Sequence, residues 1–226
     1  MSRRLRQGSG EYSEKDMAAP HRTVLALAAA AALLASCENG GIIDRMLPER
    51  GFTAASTSME PVLPRGTQFT AELVGPADVA RGDILAVRHP RGDTYLHRLI
   101  GLPGDTIELR EGVLVLNGAP AQQTPRGSYT VAGSDDAEYP DPPRTMTRLR
   151  ETLPGSRTGH DILDLGPTAF DNFGPVKLAT DEYFLLGDNR DMSADSRVGP
   201  VPVGLGIVRG EQILRRVIRP EGSAPR

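Results

Sequence analysis

The sequence of 226 residues contains a single cysteine, Cys37, no tryptophan and few other aromatic residues. One cysteine cannot form an internal disulfide framework. The formal net charge is only −3, so we expect no broad basic surface and no nucleic-acid partner. Lysine is almost absent, since only Lys15 and Lys177 occur. The length predicts one domain, or one domain with an elaboration.

Long apolar runs are lacking as well. The run from Val24 to Ala35 is shorter than the roughly 20 residues that cross a bilayer. Arg22 precedes it, which indicates that the N-terminal end stays in the cytoplasm while the rest of the chain crosses. The residues before Cys37 also resemble a bacterial lipobox. Two alternatives follow: cleavage and lipidation at Cys37, or an uncleaved membrane-targeting helix. The true start could be either the first methionine or Met17.

Glycine and proline, in contrast, are plentiful, with 25 and 19 residues. This mixture favours short strands joined by turns. Glu111-Gly112 predicts a tight hairpin, and Asn117-Gly118 predicts another turn. We therefore predict an all-β fold with an antiparallel core. The predicted core strands are 68–74, 83–89, 95–100, 106–109, 113–116, 183–186, 206–208 and 212–218.

Residues 121–175 interrupt this rhythm, with one strand-like patch at 161–165, and predict an inserted subdomain. The predicted organisation is, in chain order, a cytoplasmic region (1–23), a signal peptide or membrane anchor (24–37), a linker (38–52), the first part of the catalytic core (53–120), the insert (121–175), the second part of the core (176–219) and a tail (220–226).

Three polar stretches could together form an active site. Ser58–Pro61 offers a hydroxyl nucleophile, Tyr95–Arg98 offers a nitrogen base at His97, and Gly187–Arg197 offers a loop that could orient the base. An amide is a poor electrophile. A base must therefore take the hydroxyl proton during attack and deliver it to the leaving amine.

Four segments, in order, resemble those that characterise the type I signal peptidases: Thr53–Leu63, Gly82–Val87, Leu99–Asp105 and Gly187–Arg197. The resemblance implies a signal-peptidase-type antiparallel β-fold, with Ser58 as the nucleophile. It also implies an oxyanion hole made by the Ser56 hydroxyl and the Ser58 N–H. Bacterial members usually have lysine where this chain has His97, whereas the endoplasmic-reticulum branch has histidine there.

The resemblance makes His97 the expected base. Imidazole titrates near pH 6.5, so it needs no large depression of its pKa to be neutral at pH 7, unlike a lysine. A neighbour must fix its tautomer. By analogy, Asp195 is the first choice as orienter and Asp188 the second, with Ser193 beside the base. Arg197 could pair with Asp195 and partly neutralise it.

The sequence supports other bases and a metal site less well than it supports His97. Lys177 and His160 do not match the position of the family's base, and His89 is expected at the surface. In the polar loop, Asp191, Ser193 and Asp195 occupy alternate positions, as calcium ligands do. The glycine and the terminal glutamate of a calcium loop are absent, however. We expect no metal and no cofactor.

We therefore expect a membrane-associated serine endopeptidase of the bacterial inner membrane, with its catalytic domain on the periplasmic side. It would remove signal peptides from exported preproteins after small residues, so its partners would be preprotein signal peptides and the lipid bilayer surface. One alternative is a specialised paralogue that processes a single substrate such as a pilin. Another is a self-cleaving repressor, which the export signal disfavours. The third is a non-catalytic peptide-binding scaffold, in which loss of the usual lysine has abolished activity.

Overall fold

The computed structural model describes residues 49–133, 142–200 and 203–220. These residues form strands and one short 3-10 turn but no α-helix, which confirms the all-β prediction for this part of the chain. The strands are β1 (Glu49–Thr53), β2 (Gln68–Leu73), β3 (Ile84–Arg88), β4 (Thr94–Gly101), β5 (Thr106–Arg110), β6 (Val113–Leu116), β7 (Ala119–Pro120), β8 (Gln122–Val131), β9 (Arg144–Thr152), β10 (Gly159–Asp164), β11 (Phe173–Lys177), β12 (Glu182–Leu186), β13 (Val208–Arg209) and β14 (Ile213–Pro220), with the 3-10 turn at Gly210–Gln212.

The strands form three antiparallel sheets. The largest contains seven strands in the order β1-β2-β14-β3-β4-β12-β13. A second contains four, in the order β11-β5-β6-β7. The third contains three, in the order β10-β9-β8, and lies within 121–175. We call this third sheet, residues 122–164, the insert sheet.

Two pairs of turn residues fold the four-stranded sheet. Glu111 and Gly112 have φ values of 49° and 78°, and Asn117 and Gly118 have 52° and 81°. Two consecutive positive φ values match a type I′ turn, whose twist suits antiparallel strands. The hairpin predicted at Glu111-Gly112 and the turn predicted at Asn117-Gly118 are therefore confirmed, and they join β5 to β6 and β6 to β7.

The strands β1, β8 and β9 are mostly polar, and the apolar pattern of the sequence does not predict them. All five residues of β1 are exposed, and this strand begins inside the predicted linker. In the insert, the patch at 161–165 corresponds to β10, but β8 and β9 carry no comparable apolar signal. These strands are held largely by main-chain pairing with a neighbour. An apolar alternation, the usual signal of a strand, is therefore weak in them.

A buried apolar cluster fixes the segment that follows Ser58. Met59 is 2 % exposed and Leu63 is fully buried, and both pack with Phe69 of β2 and Ile84 of β3. Burying a side chain of this size contributes about 1.5–3 kcal/mol. Two such anchors tie the segment to the seven-stranded sheet.

In the part of the chain that the structure describes, no helix has the length and apolar character needed to span a bilayer. The signal peptide or anchor predicted at 24–37, with Cys37, lies outside the described residues.

Candidate active site

Ser58 lies in a series of tight turns between β1 and β2. The Glu60 N–H donates to the Thr57 carbonyl (3.1 Å). The Leu63 N–H donates to the Met59 carbonyl (2.8 Å). Ser58 itself is only partly buried, whereas its neighbours on both sides are buried. The turns therefore hold the backbone and leave the Ser58 hydroxyl accessible.

The Ser56 hydroxyl lies beside the Ser58 hydroxyl, with 2.9 Å between the two Oγ atoms. Ser56 is exposed. A hydroxyl in this position can also donate to an oxygen that reacts at Ser58, which is what a role in an oxyanion hole requires.

His97 lies in β4, opposite Leu85 of β3, and is 2 % exposed. Its Nε2 is 2.9 Å from the Ser193 Oγ, while its Nδ1 is buried without a hydrogen-bond partner. Burial lowers the pKa of His97 from 6.5 to about 4, the charge of Asp195 opposing this shift and that of Arg197 adding to it. His97 is therefore neutral at pH 7, which is the form that a general base requires.

The loop of residues 187–197 approaches Ser58 so closely that residue 187 must be glycine. A Cβ atom on Gly187 would lie 2.2 Å from the Ser193 Oγ and 2.7 Å from the Ser58 carbonyl oxygen. Real Cβ atoms essentially never come within 3.0 Å of another heavy atom. The segment that contains Ser58 (residues 57–63, called here the nucleophile segment after its predicted role) and the Ser193 hydroxyl that contacts His97 therefore meet at Gly187.

Asn189 ties the same loop to the nucleophile segment. Its main-chain N–H donates to the Ser58 carbonyl (3.0 Å), and its side-chain amide donates to the Thr57 carbonyl (3.1 Å). Asn189 is fully buried. Among the described residues, the hydroxyl of Ser58 pairs with that of Ser56, and no hydrogen bond joins it to His97.

Asp195, the first choice as orienter, is fully buried but does not bind the His97 ring. Its carboxylate accepts hydrogen bonds from Arg197 (2.8 and 2.9 Å) and from the Gly187 N–H (3.1 Å). The pairing with Arg197 that the sequence suggests is thus confirmed. Burial is the largest single influence and favours the neutral acid, but Arg197, His97 and the Gly187 N–H together outweigh it, so the pKa of Asp195 is lowered. Asp195 acts on His97 through its charge.

Asp188, the second choice, has a different partner. Both of its carboxylate oxygens accept hydrogen bonds from Arg98 (2.6 and 2.7 Å). Arg98 neighbours His97 in β4 but carries its side chain on the other face of the strand. The residue in contact with the His97 imidazole is therefore Ser193 rather than either aspartate.

Asp191 completes the alternating acidic pattern of the loop. Its carboxylate accepts hydrogen bonds from the Leu165 N–H and the Thr168 hydroxyl, both at 2.8 Å. In the described ranges, no group of three or more histidine, cysteine or acidic residues is arranged to hold a metal ion. The three alternating residues of the loop, Asp191, Ser193 and Asp195, thus have three different partners: Asp191 binds Leu165 and Thr168, Ser193 contacts His97, and Asp195 binds Arg197.

Among the described residues, no hydrogen bond joins the other candidate bases to the Ser58 hydroxyl, which pairs with Ser56. Lys177 is exposed at the end of β11. His89 is fully buried, so the prediction that it lies at the surface is wrong. Its ring stacks on Tyr95 at 4.9 Å, and its Nε2 lies 2.9 Å from the Gly204 carbonyl oxygen. The cause is packing against a segment more than a hundred positions away, which no local pattern reveals.

His160 of β10 is buried beside a carboxylate, with its Nε2 3.5 Å from Glu151. Burial, reinforced by the charges of Arg98, Arg190 and Arg150, lowers the pKa of His160 to about 2. This histidine therefore stays neutral in the folded protein over the whole physiological range.

We expect the free energy of unfolding to fall as the pH drops below about 6.5. His97 and His160 have pKa values of about 4 and about 2 in the fold, against 6.5 for an exposed histidine. Between pH 6.5 and 4 the unfolded chain therefore binds more protons, and each histidine lowers the stability by on the order of 1 kcal/mol per pH unit. Urea unfolding at pH 7, 6 and 5 measures this slope.

A His160→Gln variant is the control for that slope. It removes one of the two titrating groups and should flatten the pH dependence by about half. An unchanged slope in this variant would show that His160 is not a buried neutral group.

Sequence reasoning assigned no role to Gly187 or Asn189, although both lie in the predicted polar loop. Their functions depend on Thr57 and Ser58, and 132 positions separate Thr57 from Asn189. The one local signal is the glycine, which often marks a close approach of two backbones.

Comparison with known proteins places the chain in context. A profile described as signal peptidase, peptidase S26 matches residues 22–217. Signal peptidase I of Rickettsia typhi is 38 % identical over 143 residues, which are 59 % of this chain and 48 % of that protein. Signal peptidase I of Rickettsia prowazekii is 35 % identical over 144 residues, or 60 % of this chain and 49 % of that protein. The chain thus spans about half the length of the curated relatives it matches.

Among solved structures, the chain resembles a signal peptidase I from Enterococcus faecalis V583. The identity is 25 %, the coverage is 60 % of this chain and 93 % of the other, and the TM-score is 0.33.

Proposed function

Because the chain belongs to the signal peptidase family, peptidase S26, we propose that it is a membrane-associated serine endopeptidase that removes signal peptides by a Ser-His mechanism. The observation that carries this proposal is the meeting of the nucleophile segment with Ser193 at Gly187, with the Ser193 hydroxyl 2.9 Å from neutral His97. This meeting supports the proposal, because it brings the segment that contains Ser58 next to the hydroxyl that contacts His97.

In this mechanism, Ser58 Oγ attacks the carbonyl carbon of the scissile bond while His97 takes its proton. If Nε2 carries the ring proton and donates it to Ser193, the unpaired Nδ1 has the free lone pair that receives the proton from Ser58. The negative charge of Asp195 stabilises the imidazolium as it forms. An imidazolium with a pKa of about 4 is a better proton donor than an ordinary one with a pKa of 6.5, which favours protonation of the leaving amine.

Transfer of the proton requires Ser58 and His97 to come closer than they are in the free protein. Catalytic hydrogen bonds are often long in the absence of substrate and tighten in the complex. In the same step, the Ser56 hydroxyl turns from Ser58 toward the oxyanion and, with the Ser58 N–H, stabilises it.

The substrate in this proposal is an exported preprotein with small residues before the scissile bond. The test is incubation of the purified protein with a preprotein that carries Ala-X-Ala before the bond, followed by mass spectrometry of the new N-terminus. A matched substrate with phenylalanine in place of the last alanine is the control. We expect one cut in the first substrate and none in the second. No cut in either substrate would refute the proposal.

Anchoring at the bacterial inner membrane, with the catalytic part on the periplasmic side, belongs to the same proposal. It rests on the run at 24–37. If Cys37 is lipidated, a Cys37→Ser variant expressed in bacteria should lose incorporation of labelled fatty acid and should accumulate as an unprocessed precursor. Unchanged labelling and mobility on a gel would instead support an uncleaved helix.

A second candidate is a peptide-binding protein without catalysis. The observation in its favour is that Ser58 pairs with Ser56 and not with a nitrogen base. The two candidates differ in one measurement, since a binding protein retains the Ala-X-Ala peptide without cutting it.

A further inference from the structure

The two faces of the insert sheet have different partners. In the pairing of β9 with β10, Glu151 lies opposite His160 and Arg150 lies opposite Asp161. Because side chains alternate along a strand, Glu151 and His160 share one face and the other pair shares the opposite face. Glu151 is fully buried, whereas the side chain of Arg150 is 36 % exposed. One face of the insert sheet is therefore covered by another part of the protein.

The covering part is the loop that begins at Gly187. The Glu151 carboxylate binds the Arg190 guanidinium through both of its oxygens, one contact measuring 3.1 Å. The main chains also pair, since the Leu163 N–H donates to the Asp188 carbonyl (2.8 Å) and the Arg190 N–H donates to the Leu163 carbonyl (3.0 Å). The loop thus docks on β10 like a short additional strand.

The same short stretch holds the nucleophile on its other side. Two consecutive main-chain N–H groups of the loop bind different partners. The N–H of Asn189 donates to the Ser58 carbonyl, whereas the N–H of Arg190 donates to the Leu163 carbonyl of the insert sheet. Any displacement of the loop from the insert sheet is therefore passed on to the backbone of Ser58.

A second contact links the insert sheet to the nucleophile segment directly. The Tyr129 hydroxyl of β8 lies close enough to interact electrostatically with the Glu60 carboxylate, two residues after Ser58. Glu60 is 4 % exposed, and its carboxylate also accepts from the Arg65 N–H (3.3 Å). Burial, followed by the interaction with Glu60, raises the pKa of Tyr129, so the hydroxyl stays protonated at neutral pH.

We propose that the insert sheet is a positioning element of the active site, with Glu151 and Tyr129 as its positioning residues. Glu151 holds Arg190, which keeps Asn189 on the Ser58 carbonyl, while Tyr129 holds Glu60 on the other side of the nucleophile. The effect on catalysis rests on the proposed function. The positioning of the Ser58 backbone by the insert sheet can be tested even if the protein is not a peptidase.

The test compares Glu151→Gln with Asp161→Asn in the full chain. Each variant replaces a carboxylate by its amide on neighbouring strands of one sheet, but only Glu151 contacts the loop. Asp161 binds Arg148 and Arg150 on the opposite face, where a partly exposed ion pair contributes little. Tyr129→Phe is the third variant, because it removes one hydroxyl and no charge.

The first readout is hydrogen–deuterium exchange followed by mass spectrometry, on peptides covering 57–63 and 187–191. We expect faster exchange of both peptides in Glu151→Gln, faster exchange of 57–63 alone in Tyr129→Phe, and no change in Asp161→Asn. Unchanged exchange of 57–63 in both positioning variants overturns the proposal, whether or not the protein is a peptidase. If Glu151→Gln does not fold, Tyr129→Phe decides alone.

The second readout is the division of the effect between kcat and KM with the Ala-X-Ala substrate. Misplacement of a reacting group by about 1 Å can cost about 100-fold in rate. We expect kcat to fall about 10- to 100-fold in Glu151→Gln, with KM within about twofold of the wild type. A loss of activity that only follows the unfolded fraction, or an equal loss in Asp161→Asn, overturns the proposal. A wild-type protein that cuts no substrate refutes the proposed function instead, and leaves the exchange result to decide positioning.

Discussion

Replacing Ser58 with alanine should abolish cleavage of the Ala-X-Ala preprotein and leave the fold intact. The hydroxyl is only partly buried, and its one hydrogen bond is to exposed Ser56. Its removal therefore opens no cavity and leaves the buried anchors Met59 and Leu63 in place. The loss of the nucleophile should reduce kcat by about 10⁴- to 10⁶-fold. Single-turnover cleavage and thermal unfolding of the same preparation measure the two effects separately.

Ser56→Ala is the graded control for this result. It removes the neighbouring hydroxyl, and the loss of one oxyanion donor costs about 10²- to 10³-fold in kcat. An activity in Ser58→Ala close to that of the wild type would remove Ser58 from the mechanism and favour another nucleophile.

His97→Ala should be nearly inactive, because it removes the proposed base and its contact with Ser193. His97 is held in β4 and contacts Ser193 at 2.9 Å, whereas Lys177 is exposed on β11. Lys177→Ala is therefore the matched control and should cleave like the wild type. Near-normal activity in His97→Ala, or loss of activity in Lys177→Ala alone, would assign the base elsewhere.

The pH dependence of kcat/KM identifies the base independently of mutation. The sequence alone suggests a rise through about pH 6–7, the range of an ordinary histidine. Burial lowers the pKa of His97 to about 4, so the neutral form already predominates above about pH 5. We therefore expect kcat/KM to be nearly flat from about pH 5.5 to 8. A rise that levels off near pH 7 would indicate an unburied histidine, and a tenfold rise per pH unit across the whole range would indicate a lysine.

Local signals in the sequence were enough for much of the fold. The hairpin turns at 111–112 and 117–118 follow from pairs of residues that tolerate positive φ, a preference that does not depend on distant contacts. The apolar core strands follow from runs of β-branched and aromatic residues between turn signals. The polar strands β1, β8 and β9 lack that pattern, because what holds them is a neighbouring strand and not a buried face of their own.

The candidate site divides in the same way. The residue types that could act as nucleophile and base, Ser58 and His97, are visible in short motifs, because their chemistry belongs to the side chain itself. The tertiary structure alone decided their surroundings: that Ser193 is the partner of His97, 96 positions away, and that Asp195 is occupied by Arg197. It also decided the pKa of His97, since the shift comes from burial under several strands. Burial and pairing are properties of contacts between distant segments, so they exist only once the chain has folded.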